Sequence, residues 1–168
     1  RDNGKWTVKL DTPKAGGPLA ITIAGKNKIE LKHVLSGEVW VCSGQSNMQL
    51  QVNECRDAER EIGKATNPKI RLFQVKRVPS HSPLDDVEGA WEACSPESVK
   101  GFSGAAYFFG RKLHEELDIP IGLILCAWGA TTIEAWTPRD VQLDDPVVGV
   151  ADGHADRYAK GDLPHGNA

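Results

Sequence analysis

The stretch VWVCSGQSNMQLQV at 39–52 runs from four apolar residues straight into a cluster of small polar ones that includes Gln45, Ser46 and Asn47. An apolar run bounded by Gly37 and Ser43 is what a strand buried on both faces of a parallel sheet requires, since crossover helices cover such sheets from both sides. A serine on the turn after such a strand exposes its Oγ beside free backbone N–H groups, a nucleophile with donors for a developing oxyanion. Ser46 is better placed for this than Ser43, which belongs to the strand end. The same residues also read as a turn with helix-capping groups, because Ser and Asn are preferred caps.

Two further apolar runs follow. IRLFQV at 70–75 comes after a charged segment, NECRDAEREIGKA at 53–65, that reads as a helix. IGLILCAW at 121–128 comes after a segment at 103–117 in which Phe108, Leu113 and Leu117 keep helical spacing among Arg and Glu. Strand, helix, strand, helix, strand is the α/β pattern. The strand at 37–41 is expected between those at Ile70 and Ile121.

In such a sheet ligands bind outside the carboxyl ends of the strands. The third run ends in AWGATTIEAWTP at 127–138. Gly129 lets backbone approach a ligand, Thr131 and Thr132 offer hydroxyls, and Trp128 and Trp136 offer flat apolar faces of the kind that line sugar sites. A turn packed on two core tryptophans is the plainer reading. Two polar loops on one side of a sheet favour a site.

The flanks differ from this centre. Trp6, Val8 and Leu10 alternate with polar residues, PKAGGP at 13–18 is turn chemistry, and Leu19, Ile21, Ile23, Ile29 and Leu31 continue a meander of short strands. Residues 1–35 are therefore expected to be the end of a larger accessory β domain, and 36–142 the first half of an α/β domain. From 143 to 168 the chain is rich in Gly, Pro, Asp and His and is expected to be loop or poorly ordered.

The 168 residues, 26% of them charged, carry a net charge of −3, with Lys and Arg scattered among acids, so the basic stripe of a nucleic-acid binder is missing. Apolar runs reach about ten residues, well short of the roughly 18 to 20 that span a bilayer, so no membrane partner is expected. The four cysteines, Cys42, Cys55, Cys94 and Cys126, form no CxxC pair, which weakens zinc and redox readings. Cys42 and Cys126 read as small buried hydrophobes, and a Cys55–Cys94 bridge stays possible. His33, His81 and His114 read as surface or structural residues, the last on an exposed helix position.

Three ordered blocks, GEVWVCSGQSNM at 37–48, GFSGAAYFFGRKL at 101–113 and GLILCAWGATTIEAWTP at 122–138, together with KAGGP and IELKHVL upstream, resemble the sialate O-acetylesterase family, carbohydrate esterases of the SGNH hydrolase superfamily. The resemblance implies a flavodoxin-like three-layer α/β sandwich. It also implies a serine esterase acting on O-acetyl groups of sialic acid or a related acetylated sugar, without metal or cofactor, in a secreted or periplasmic setting. Ser46 becomes the nucleophile, the N–H groups of Ser46 and Gly129 the oxyanion donors, and Gln45, Asn47, Thr131, Trp128 and Trp136 candidates for substrate binding.

Departures from the family pattern matter as well. Ala130 stands where the family usually has a second glycine, and alanine does not readily take positive φ; Thr132 replaces a proline. The family's asparagine block and its late Asp–His block do not follow Pro138. Asp152-Gly-His154 and Asp162-Leu-Pro-His165 follow the second block too closely to be carried round to Ser46, so the catalytic histidine and aspartate are expected beyond Ala168 and the chain alone is expected to be a weak esterase. A domain that keeps the fold and binds carbohydrate without catalysis is the alternative.

Overall fold

The computed structural model describes residues 6–80, 82–138 and 141. Its centre is a four-stranded sheet. β3 (Glu38–Gly44), β4 (Asn67–Gln74) and β6 (Ile121–Ala127) run parallel, and β5 (Trp91–Cys94) joins β4 antiparallel, in the order β3-β6-β4-β5. A hairpin of β1 (Gly16–Ala24) and β2 (Lys28–Ser36) precedes them.

The strand expected in the middle lies at one side. β6 sits between β3 and β4, and β3 pairs with β6 alone among the described residues. Nor is β3 buried on both faces: Val39 and Val41 are 59% and 68% exposed, and only Cys42 is buried. β6 comes nearer to the expectation: Ile121, Leu123, Leu125 and Ala127 are buried on one face, and on the other Gly122 is buried and Ile124 and Cys126 are half-buried. An apolar run marks a strand but leaves its neighbours undecided.

The helix α4 (Gly104–Leu117) covers one face of this sheet. Its start is capped by Ser103, whose Oγ accepts from the Ala106 N–H at 3.1 Å. Gly110 of α4 lies so close to β6 that an added Cβ would stand 2.6 Å from Leu123, and Trp40 of β3 packs edge-on against Phe109 with centroids 5.2 Å apart. Tyr107, Phe102, Ile70, Ile121, Leu123, Val52 and Val99 form the fully buried heart of the layer between helix and sheet. On the opposite face Phe73 and Trp91 pair at 5.3 Å, and Trp91 also touches the position of a Gly122 Cβ.

Other expectations need adjustment. The charged segment at 53–65 is not one helix but a 3-10 turn, Val52–Glu54, followed by α2 (Ala58–Gly63); Asp57 between them takes φ 57°, a left-handed conformation that interrupts helical continuity. Trp6, Val8 and Leu10 alternate as a strand would, yet carry no strand hydrogen bonding and are exposed. The short β5 and α3 (Pro96–Lys100) have no counterpart in the periodicity.

All four cysteines are free, so the Cys55–Cys94 bridge is not formed. Cys94 is buried with its thiol toward the Ala65 carbonyl, Cys55 points its thiol to the Gln51 carbonyl at 3.3 Å, and Cys126 is half-buried rather than fully buried. His114 is also half-buried, its Nδ1 set 2.6 Å from the Ile119 carbonyl just past the end of α4. His33 is exposed on the hairpin, and His81 and the tail at 142–168 lie outside the described residues.

Candidate active site

β3 begins against β6 because Gly37 has no side chain: a Cβ there would stand 2.0 Å from the Pro120 carbonyl oxygen, which accepts from the Glu38 N–H at 3.1 Å. From that point the strands pair residue for residue, Glu38 with Ile121 through to Gly44 with Ala127. Both chains therefore leave the sheet at the same level. Gly44 makes the departure at φ 153°, and the single-turn helix α1 (Ser46–Gln49) follows, with Gln45 at its N-cap.

α1 is held from below. Ser103 Oγ meets Met48 Sδ at 3.6 Å, the Gly104 N–H donates to the Leu50 carbonyl at 2.8 Å, and the Val52 N–H donates to the Phe102 carbonyl at 2.9 Å. Ser103 is fully buried, so the start of α4 is a rigid seat. Ser46 on the upper side is exposed.

Across from it, the loop after β6 brings Gly129 to Ser46. A Cβ on Gly129 would lie 3.5 Å from Ser46 Oγ and 3.1 Å from Gln49 Oε1, so the absence of a side chain is what leaves room beside the serine. Ala130 then takes φ 60°. The alanine adopts the left-handed conformation that a glycine would take without strain, so the loop keeps its path at a cost of about 1 kcal/mol.

The backbone donors here already have partners. The Ser46 N–H donates to Gln45 Oε1 at 2.7 Å, and the Ser46 hydroxyl donates to the same oxygen at 2.5 Å. The Gly129 N–H donates to Gln49 Oε1 at 2.5 Å. Two glutamine amide oxygens thus occupy these two backbone donors.

A cavity of about 330 Å³ opens here, walled by Ser46, Gln49, Trp128, Gly129 and Ala130, with Arg77 and Glu54 on its rim. That is the lower end of small-molecule pockets, roughly 300–1,000 Å³. Of the residues singled out in the sequence, Ser46, Gly129 and Trp128 wall the cavity and Gln45 bonds to Ser46. Thr131 and Trp136 stand behind the loop instead: the Thr131 hydroxyl donates to the Trp128 carbonyl at 2.6 Å and accepts from Trp136 Nε1 at 2.8 Å, bracing the turn. Asn47 is exposed on α1 without lining the cavity.

Gln49 and Arg77 were not singled out in the sequence. Gln49 lies one helical turn from Ser46, hence on the same face, and Arg77 follows the carboxyl end of β4; both signals were present in the spacing. Among the described residues no histidine walls the cavity, and no group of three or more His, Cys, Asp or Glu is arranged to hold a metal ion. A smaller cavity of about 170 Å³ lies over Leu72, Gln74 and Phe102. Its Ser98 is committed to the Ala93 carbonyl at 2.8 Å and to capping α3.

Parallel strands ending in a serine turn and a glycine loop that face each other define an SGNH-like α/β fold. Residues 36–156 match the family described as carbohydrate esterase, sialic acid-specific acetylesterase, and the chain belongs to that family. It is 36% identical over 148 residues to the sialate O-acetylesterase of Mus musculus, covering 80% of this chain and 27% of that protein. The sialate O-acetylesterase of Homo sapiens is 37% identical over 146 residues, covering 79% and 28%. A crystal structure of a carbohydrate acetylesterase from Xanthomonas citri superposes with a TM-score of 0.78 at 31% identity, covering 80% of this chain and 32% of that one. The chain thus spans under a third of the length of these relatives.

Proposed function

We propose that this chain supplies the nucleophile and oxyanion donors of a serine O-acetylesterase acting on acetylated sialic acid or a related acetylated carbohydrate. The observation that carries this reading is the closeness of the exposed Ser46 hydroxyl to a loop residue without a side chain, Gly129. Ser46 Oγ attacks the acetyl carbonyl carbon and gives its proton to a general base. The carbonyl oxygen, now negative, takes the N–H groups of Ser46 and Gly129 in place of Gln45 and Gln49. The sugar–oxygen bond to the acyl carbon then breaks, the proton passes from the base to the sugar oxygen, and water releases acetate from the serine by the same steps.

The base in this scheme is a histidine, and the described residues offer none at the cavity. His154 and His165 lie outside the described residues. Without a base in place a serine hydrolase loses on the order of 10²- to 10⁴-fold or more in rate, so the 168-residue chain by itself is proposed to be a weak esterase.

The test is acetate release from an aryl acetate and from an O-acetylated sialic acid, by the protein and by its Ser46→Ala variant. Release is expected to vanish in the variant. Retention of most activity would rule out the serine, and fast turnover by the 168-residue chain, lost in Ser46→Ala, would place the base within the chain.

A further inference from the structure

Arg77 is the cation of this cavity, and its guanidinium is already oriented. Its Nε donates to the carbonyl of Ala127 at 3.0 Å, two residues before Gly129, which ties the head group to the same loop that faces Ser46. Three other basic residues are paired with acids. Lys76 pairs with Glu88 at 2.6 Å, Arg60 with Asp57 and Glu61, and Arg111 with Glu61 at 2.7 Å. Arg77 makes no ion pair among the described residues. The acid that shares its cavity, Glu54, turns an oxygen to the Gln51 N–H at 2.8 Å and closes the capping box of the turn at 52–54.

A guanidinium held by one nitrogen keeps its two terminal nitrogens as a planar fork, the geometry that takes both oxygens of a carboxylate. From this we infer that Arg77 is the specificity-determining residue of the cavity, receiving the carboxylate of an acidic sugar while the acetyl ester of the same sugar lies at Ser46. The inference rests on the ester-hydrolysing reading of that cavity for the second half of the statement alone; recognition of the carboxylate is a binding property. It gives the site a means to prefer acidic over neutral acetylated sugars.

The experiment is calorimetric titration of the protein with free sialic acid and with its carboxyl methyl ester, which differ only in the charge offered to Arg77. A charge-assisted hydrogen bond at a partly solvated position contributes about a tenfold preference. The acid is therefore expected to bind about ten times more tightly than the ester, and Arg77→Gln to bring the two together. Arg77→Lys, which keeps the charge but not the fork, should fall between, with thermal melts confirming that each variant folds. Equal binding of acid and ester by the unaltered protein, or binding of neither, overturns the inference, as does a preference that survives in Arg77→Gln. Because no bond is broken in this titration, its outcome is independent of whether Ser46→Ala abolishes hydrolysis.

Discussion

Gln49 Oε1 accepts the Gly129 N–H at 2.5 Å across 80 positions of sequence. That bond ties the helix carrying Ser46 to the loop after β6. A hydrogen bond of this kind contributes about 1 kcal/mol net. Gln49→Leu, which keeps the bulk but removes the acceptor, should speed amide hydrogen exchange at Gly129 about fivefold while leaving exchange in β6 unchanged. Unchanged exchange at Gly129 would mean that the bond does not order the loop.

Ala130 at φ 60° carries strain that a glycine would not. Ala130→Gly should stabilise the protein by about 0.5 kcal/mol, the left-handed penalty of an L-residue less the extra chain entropy of glycine, and raise Tm by about 1–2 °C. Ala130→Val should do the opposite, because branching at Cβ worsens the same clash. Thermal melts of the two variants check the sign. A lower Tm for the glycine variant would show that this position is not strained.

Glu61 receives Arg111 at 2.7 Å and Arg60 at 3.2 Å, and the Arg111 hydrogen bond above all holds its carboxyl below the ordinary glutamate range. The folded-state pKa is thus lower than the unfolded one. Its contribution to stability is present above the unfolded value, about 4.3, and is lost as pH falls through the folded value. Denaturant midpoints of the protein and of Glu61→Gln should differ at neutral pH and converge only as pH falls below the lowered folded-state value. A difference that persists at the lowest pH would assign the effect to packing instead.

The free thiols are open to a direct count. Burial raises the thiol pKa of Cys42 and of Cys94, which keeps both protonated and unreactive in the folded chain. Alkylation in denaturant without reductant should add four groups, matching the four free cysteines. In the folded protein Cys42 and Cys94 should be the slowest to react. Two adducts in denaturant would reveal a bridge.

The strand ends that build the site could be read from sequence because their signal is local: an apolar run, then small polar residues, twice. Strand order could not, since it depends on which runs the crossovers bring together, and both β3 and β6 carry an unbroken apolar run, Val39–Cys42 in one and Leu123–Ala127 in the other. Trp6, Val8 and Leu10 misled for a related reason, as alternation makes a strand only where a partner supplies hydrogen bonds. β5 has four residues, too few to show a period. α3 had a legible start, Ser95-Pro96 with Ser98 completing the capping box, but that cue is chemical rather than periodic. In the site, Ser46 and Gly129 stood out by residue type, whereas Gln49 matters through the atom it meets, and that atom comes from a distant loop.

The unbroken pairing of Glu38–Gly44 with Ile121–Ala127 also decides which changes in chain length the protein can accept. Deleting one residue within β6 would draw Gly129 back by about 3.3 Å and turn every side chain of the shifted part to the other face. Ser46 would keep its place while Gly129 moved away from it. Related genes should therefore differ in this pair of strands by substitution and not by insertion or deletion. The connection between β4 and β5 meets no such ruler, and extra residues can accumulate there without disturbing the approach of Gly129 to Ser46.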